Sequence, residues 1–201
     1  MRKVYRVHNS EKKRDMKEKI LVINGATREG GNTDVIVKKF VGGVQTAGLN
    51  VQSATLRELD ISDCIGCCKC LKESNCNFDD DMTHLRDAIV KSDILVFASP
   101  LYFCEVTGLM KNFLDRLYFF YHPVNKHLVS GKKVLIITTL GEKEVGHETV
   151  VLEEFYKQFL HALDLTLLDM VYFPDLMEKE AIQQKPEYLE KIFNIGKNYW
   201  T

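Results

Sequence analysis

The chain has 201 residues, 45% of them hydrophobic and 27% charged, with a formal net charge of -1. That length suits one α/β domain with a real core, and the near-neutral balance excludes the broad basic field that draws nucleic acid. No apolar run approaches the roughly 20 residues of a membrane span, and the charged N-terminus lacks a secretory signal, so the expected location is the cytoplasm, with no membrane partner.

Residues 1–18 carry many Lys and Arg and no sustained apolar period, which predicts a charged extension ahead of a domain over residues 19–201. Ile20–Asn24 reads as a buried strand, followed by a helix from Asn32 to Ala47 that Gly48 closes. Asn50–Leu56 predicts a second strand leading into a cysteine-rich loop, then Asp81–Lys91 a helix and Ile94–Ala98 a third strand. Val106, Leu109, Met110, Phe113, Leu114 and Leu117 recur at spacings of three and four, the apolar face of a helix. Lys133–Leu140 predicts a strand, Glu148–Leu163 a helix, Leu165–Phe173 a strand, and Lys179–Tyr199 a closing helix. This alternation predicts right-handed crossovers and a five-stranded parallel sheet covered on both faces, in a single domain.

The stretch from Ile20 to Thr33 ends a strand and opens a helix. Gly25 allows a sharp turn, and Gly30 and Gly31 allow close approach of the backbone. The unpaired N–H groups and positive end of the following helix suit a phosphate. Thr27, Asn32 and Thr33 add short donors, and Arg28 can add a charge-assisted pair. A P-loop would need Lys and then Ser or Thr after its second glycine, whereas Gly31 and Asn32 follow Gly30. The G-x-G-x-x-G dinucleotide fingerprint is absent as well. A plain strand-to-helix turn is the remaining alternative, and the coincidence of so many short donors at a helix start weighs against it.

Gly25-Ala-Thr-Arg-Glu-Gly-Gly-Asn-Thr33 resembles the phosphate loop G-S-x-R-x-x-G-N-T of the NAD(P)H-dependent FMN reductase branch of flavodoxin-like proteins. Ala26 stands where that family commonly has Ser, which removes one hydroxyl and leaves the backbone donors. The resemblance implies a flavodoxin-like three-layer sandwich with FMN as cofactor, its phosphate held by Ala26, Thr27, Arg28, Asn32 and Thr33. The segment Ala98 to Gly108 resembles the family's S-P-x-Y stretch beside the flavin ring, and Lys111-Asn-Phe-Leu-Asp-Arg116 resembles the ending of the helix after it. Pro100 stiffens that turn, while Leu101, Tyr102 and Phe103 are expected to meet the ring. Core packing of Tyr102 and Phe103 is the plainer alternative. Thr139 and Gly141 follow the fourth strand and are expected at the ring too, because loops after strands one, three and four converge beside the switch in strand order. His147 is considered as a proton donor, but no catalytic side chain is assigned, since a flavin carries the chemistry and the protein places it.

Five of the six cysteines fall between Cys64 and Cys76, and the sixth is Cys104. A disulfide framework would spread its cysteines, so this crowding points to metal, cluster or thiol chemistry. Cys64, Cys67, Cys70 and Cys76 form C-x2-C-x2-C-x5-C, and four thiolates on one compact loop can wrap a [4Fe–4S] cluster. The spacing resembles that of iron–sulfur flavoproteins, a group within the same branch, as does the Asp80-Asp81-Met82 that follows. Zinc, whose sites pair two knuckles across a longer span, and free or switching thiols stay open as alternatives; Cys68 stands outside the set.

The resemblance runs from Lys19 to about Glu148. It implies an FMN-dependent oxidoreductase that passes electrons between NAD(P)H or ferredoxin and a small-molecule or protein acceptor, as a homodimer or homotetramer. The aromatic run Leu117–Tyr121 is a candidate subunit contact. A cluster-free NAD(P)H:FMN or quinone reductase, a flavodoxin-type electron carrier and a redox sensor are the alternatives. The near-neutral charge argues against the carrier.

Overall fold

Continuous apolar runs make strands that can be buried on both faces, and this governs where each strand lies. In a computed structural model that describes residues 18–200, β1 (Lys19–Asn24), β2 (Asn50–Thr55), β3 (Ile94–Pro100), β4 (Lys133–Thr139) and β5 (Thr166–Phe173) form one sheet. The mostly apolar, buried β1, β3 and β4 occupy its centre, and the more polar β2 and β5 its edges. Every pairing is parallel, in the order β2-β1-β3-β4-β5, which is the flavodoxin-like doubly wound arrangement with its switch point between β1 and β3. The predicted extension lies outside the described residues, except for Glu18, whose carboxylate pairs with Lys133 Nζ at 3.0 Å.

The helices are α1 (Asn32–Thr46), α2 (Lys69–Glu73), α3 (Met82–Lys91), α4 (Gly108–Arg116), α5 (Pro123–Lys126), α6 (His147–Leu163) and α7 (Pro186–Asn198). Because successive strand residues point to opposite faces, Leu21, Ile23, Leu95 and Phe97 pack under α3, α4 and α6. Ile20, Val22, Ile94 and Val96 pack under α1 and α7. The result is the expected three-layer sandwich. On the second face α1 and α7 cross backbone to backbone: a Cβ on Gly43 would lie 2.2 Å from the Phe193 carbonyl, and one on Gly196 would lie 2.3 Å from the Phe40 carbonyl.

Three segments differ from the sequence reading. The expected helix over Lys179–Tyr199 is broken into a 3-10 turn at Ala181–Gln184 and α7. Proline cannot sit in a helix interior but suits its first position, so the helix restarts at Pro186. The apolar-face helix begins only at Gly108, capped by the Thr107 hydroxyl, which accepts from Met110 N–H; Val106 precedes it. Leu117–Phe120 tightens into a 3-10 turn. The short helices α2 and α5 have no periodic signal in the sequence. Among the described residues no helix is long and apolar enough to cross a membrane.

Candidate functional site

At the carboxyl edge of the sheet the loops after β1, β3 and β4 enclose a cleft of about 600 Å³. Ala26, Thr27, Arg28, Asn32, Thr33, Pro100, Leu101, Tyr102, Phe103, Thr139 and Gly141 all line it. The sequence thus brings every residue assigned to the cofactor to one place.

The first loop is shaped mainly by its backbone. Gly25 donates to the Ala98 carbonyl at 2.8 Å, and a Cβ there would sit 2.8 Å from Met110 Cβ, so glycine lets β1, β3 and α4 meet. Gly30 has a left-handed φ of 64°, which a side chain would strain. The main-chain N–H groups of Thr27, Arg28 and Glu29 have no partner among the described residues. Those of Asn32 and Thr33 are free first-turn donors of α1. Free donors around a helix start are what a phosphate needs.

Several side chains hold this loop rather than point into the cleft. Asp34 accepts from Asn24 at 2.6 Å, from Gly30 N–H at 2.8 Å and from Arg57 at 3.0 Å. Arg57 pairs with that carboxylate, which would otherwise repel a phosphate at the same helix start. Asn32 donates to the carbonyls of Leu176 and Glu178 at 2.9 and 2.6 Å and accepts from Ile182 N–H at 3.1 Å. Its amide therefore ties α1 to the loop after β5, and what it offers a ligand is its main-chain N–H. Thr33 and Thr139 share a hydroxyl hydrogen bond of 2.8 Å that fixes the α1 start to the end of β4. Thr107, buried, donates to the Gly25 carbonyl at 2.7 Å.

Across the cleft, Leu101 N–H donates to the Thr139 carbonyl at 2.8 Å. Tyr102 and Glu105 exchange two main-chain hydrogen bonds around a tight turn with left-handed φ values of 49° at Phe103 and 66° at Cys104. Such a conformation costs a non-glycine residue roughly 1–2 kcal/mol. It leaves Phe103 fully exposed at the cleft's lip rather than in the core. The Tyr102 and Thr27 hydroxyls lie 3.1 Å apart and link the two walls. Arg28 Nη1 donates to the Met177 carbonyl at 3.1 Å.

The loop after β5 supplies lining residues that the sequence reading does not reach: Leu176, Met177 and Lys179. Asn32 and Arg28 hold that loop by bonds to its carbonyls, which leave no mark in the sequence. Glu148 lines the cleft at the start of α6, whereas His147 does not.

The cysteine loop begins at the same sheet edge but does not stay there. Asn112 holds the Ile61 carbonyl at 2.8 Å, Arg116 the Ser62 carbonyl at 2.6 Å, and Asn125 the Cys70 carbonyl at 3.2 Å. The loop thus runs along α4. At 1.5 Å per helical residue, Arg116 lies about 13 Å from Thr107, which touches the first loop. A second, small cavity of about 30 Å³ is lined by Cys64, Cys67, Cys70 and Cys76, with Cys68, Phe78, Arg116, Tyr118 and Phe119. It shares no lining residue with the cleft.

Charge organises this pocket. Arg116 is almost fully buried and grips Asp80 with both nitrogens, at 2.6 and 3.1 Å, while Nη2 donates to Cys76 Sγ at 3.5 Å. Burial alone would raise the Cys76 thiol, but the Phe78 N–H, the Arg116 charge and the adjacent Arg86 hold it below its ordinary value. Cys70 is pushed up by burial and by the negative charge of Cys76. Among the described residues no three His, Cys, Asp or Glu groups converge on a point that could hold a single metal ion. The thiols are instead spread around the cavity wall.

A parallel sheet in this order with an N–H-rich cleft at its switch point is the doubly wound, flavodoxin-like class, whose ligand crevice lies at that edge. The profile of the NADPH-dependent FMN reductase family matches residues 18–176, and the chain belongs to that family. It is 34% identical over 123 residues to an iron-sulfur flavoprotein of Clostridioides difficile, which covers 60% of this chain and 53% of that protein. It is 29% identical over 126 residues to an iron-sulfur flavoprotein of Archaeoglobus fulgidus, covering 63% and 57% respectively. The chain therefore spans little more than half the length of these relatives. Its fold superposes on an NAD(P)H:quinone oxidoreductase from Methanothermobacter marburgensis with a TM-score of 0.71 at 14% identity, over 91% of this chain and 97% of that one.

Proposed function

We propose that this chain is an FMN-dependent oxidoreductase that takes electrons from NAD(P)H or a ferredoxin and delivers them to a small-molecule or protein acceptor. The observation that carries this reading is the convergence of the loops after β1, β3 and β4 on one cleft in a chain of the FMN reductase family. The flavin supplies the chemistry, accepting a hydride and releasing electrons singly. The free N–H groups of Thr27, Arg28, Glu29, Asn32 and Thr33 hold its phosphate, with the Arg28 guanidinium as counter-charge. Pro100, Leu101 and Tyr102 form one wall for the ring, Thr139 and Gly141 bound its other side, and Phe103 stands at the lip, where a flat donor or acceptor would arrive.

The same reading places a [4Fe–4S] cluster on Cys64, Cys67, Cys70 and Cys76. Four thiols lining one cavity are the ligand set that such a cluster takes. The buried arginines behind them match the negative charge of such a cluster. The names of the two curated relatives support it. One observation favours a second reading, a cluster-free NAD(P)H:FMN or quinone reductase: the two cavities share no residue, so the lining of the cleft is complete without the cysteine loop.

Protein purified without oxygen should hold about one FMN per chain and about four irons and four sulfides per FMN. It should also bleach its flavin on addition of NADPH or NADH and recover on addition of a quinone. Flavin without iron would leave a cluster-free reductase; neither flavin nor iron would overturn the proposal.

A further inference from the structure

Two buried guanidinium groups stand close to the cysteine pocket, and they are not equivalent. Arg116 is neutralised by Asp80 at 2.6 Å. Arg86, on α3, is equally withdrawn from water but has no ion-pair partner among the described residues. Its Nη2 donates to the Thr83 hydroxyl at 3.3 Å, and its guanidinium lies 4.6 Å from the ring centre of Phe119, which lines the cysteine pocket. Its Nη1 is buried with no hydrogen-bond partner among the described residues. A guanidinium held in low dielectric without a counter-charge is costly, so the fold is expected to provide negative charge nearby. Chemistry of that sign lies across the Phe119 ring, in the four thiols that line the same pocket.

We infer that Arg86 is the counter-charge of the cluster seated on Cys64, Cys67, Cys70 and Cys76, and that it raises the cluster's reduction potential. This rests on the cluster reading above. Reduction adds one electron, from reduced flavin in turnover, and moves no proton and no bond: a doubly negative assembly of core and thiolates becomes triply negative. A fixed positive charge attracts the more negative form more strongly, so Arg86 favours the reduced state. Asp80 opposes it from the other side of Arg116, and the pair of groups sets the poise.

The test is a dithionite titration, followed by electron paramagnetic resonance, of the anaerobically prepared holoprotein. Arg86→Met, loaded with full iron and sulfide, should lose at least tenfold in the reduced-to-oxidised ratio, which is about 59 mV for one electron. Arg86→Lys should retain most of the wild-type midpoint. Asp80→Asn keeps the shape of the carboxylate without its charge and should move the midpoint upward, the opposite direction. Arg86→Gln, which keeps polar N–H groups without the charge and should shift downward like Arg86→Met, covers the case in which Arg86→Met fails to fold. Iron-loaded variants with unmoved midpoints would overturn the inference and leave the cluster standing. Wild-type protein with flavin and no iron would remove the cluster and this inference with it.

Discussion

The cleft and the cysteine pocket lie on one fold and are built on opposite principles. The cleft is a backbone construction: strand ends, a helix start and free N–H groups, with side chains such as Asn32, Thr33 and Asp34 turned to holding loops together. The pocket is a side-chain construction in which thiols, two guanidinium groups and one carboxylate depend on each other across a few ångströms. A backbone site should tolerate the exchange of a side chain, such as Ala26 in place of the Ser that the resemblance implies. A side-chain site should fail with the loss of a single group.

The sharpest break of that comparison is Cys70→Ser. It should cut iron per chain by about tenfold or more, because a hydroxyl replaces one of four thiolate ligands, and leave FMN per chain unchanged. Iron and flavin analysis on the same sample decides it. Loss of both together would mean that the pocket supports the cleft, against their separate linings.

Next in size is Asp80→Ala, which strands the buried Arg116 charge. Breaking one partner of such a pair costs about 3–5 kcal/mol, readable from urea denaturation. The pH dependence follows from the direction of its shift. Burial would raise the Asp80 carboxyl, but the bond from Arg116 and the N–H groups of Ser62 and Met82 outweigh it and hold the group below its ordinary value. A depressed carboxyl stabilises the fold fully above its unfolded value of about 4 and loses that contribution as pH falls through the lower folded value. The stability gap between wild type and Asp80→Ala should therefore be level near neutrality and shrink below about pH 4. A gap that widened with acid would contradict the ion pair.

Arg28→Ala addresses the cleft. Its guanidinium is on the surface and reaches Met177, so it contributes to the phosphate site from outside the backbone cradle. FMN binding should weaken by about tenfold, roughly 1.4 kcal/mol, with the fold unchanged. Unaltered affinity, measured by fluorescence quenching, would leave the phosphate to the backbone alone.

The same contrast explains what could be read from the sequence. Backbone sites leave marks in the chain because they demand glycine and short donors at fixed offsets, so Gly25 to Thr33 was legible, and so was the cysteine spacing. The strands were legible because full burial forces continuous apolar runs. What escaped were partners distant in sequence. Nothing near Asn32 announces Leu176 and Glu178, and nothing near Cys76 announces Arg116 or Arg86. The drift of the cysteine loop along α4 escaped for the same reason, since Asn112 and Asn125 draw it by hydrogen bonds to carbonyls that any residue carries. The break at Pro186 was readable in principle, because proline in a helical pattern marks a restart.

Tyr102→Phe tests the smallest difference between the two regions. Its hydroxyl meets that of Thr27 at 3.1 Å in an exposed position, a side-chain bond across the mouth of the cleft. A hydrogen bond of this kind contributes about 0.5–1.5 kcal/mol net, and less where water can replace it. The ring that walls the cleft is kept, and the backbone donors are untouched. FMN affinity should therefore fall by about threefold or less, while Tyr102→Ala, which removes the wall as well, should cost clearly more. If Tyr102→Phe matched the loss in Tyr102→Ala, the hydroxyl rather than the ring would be the functional part. The cleft would then depend on an individual side chain in the way the cysteine pocket does.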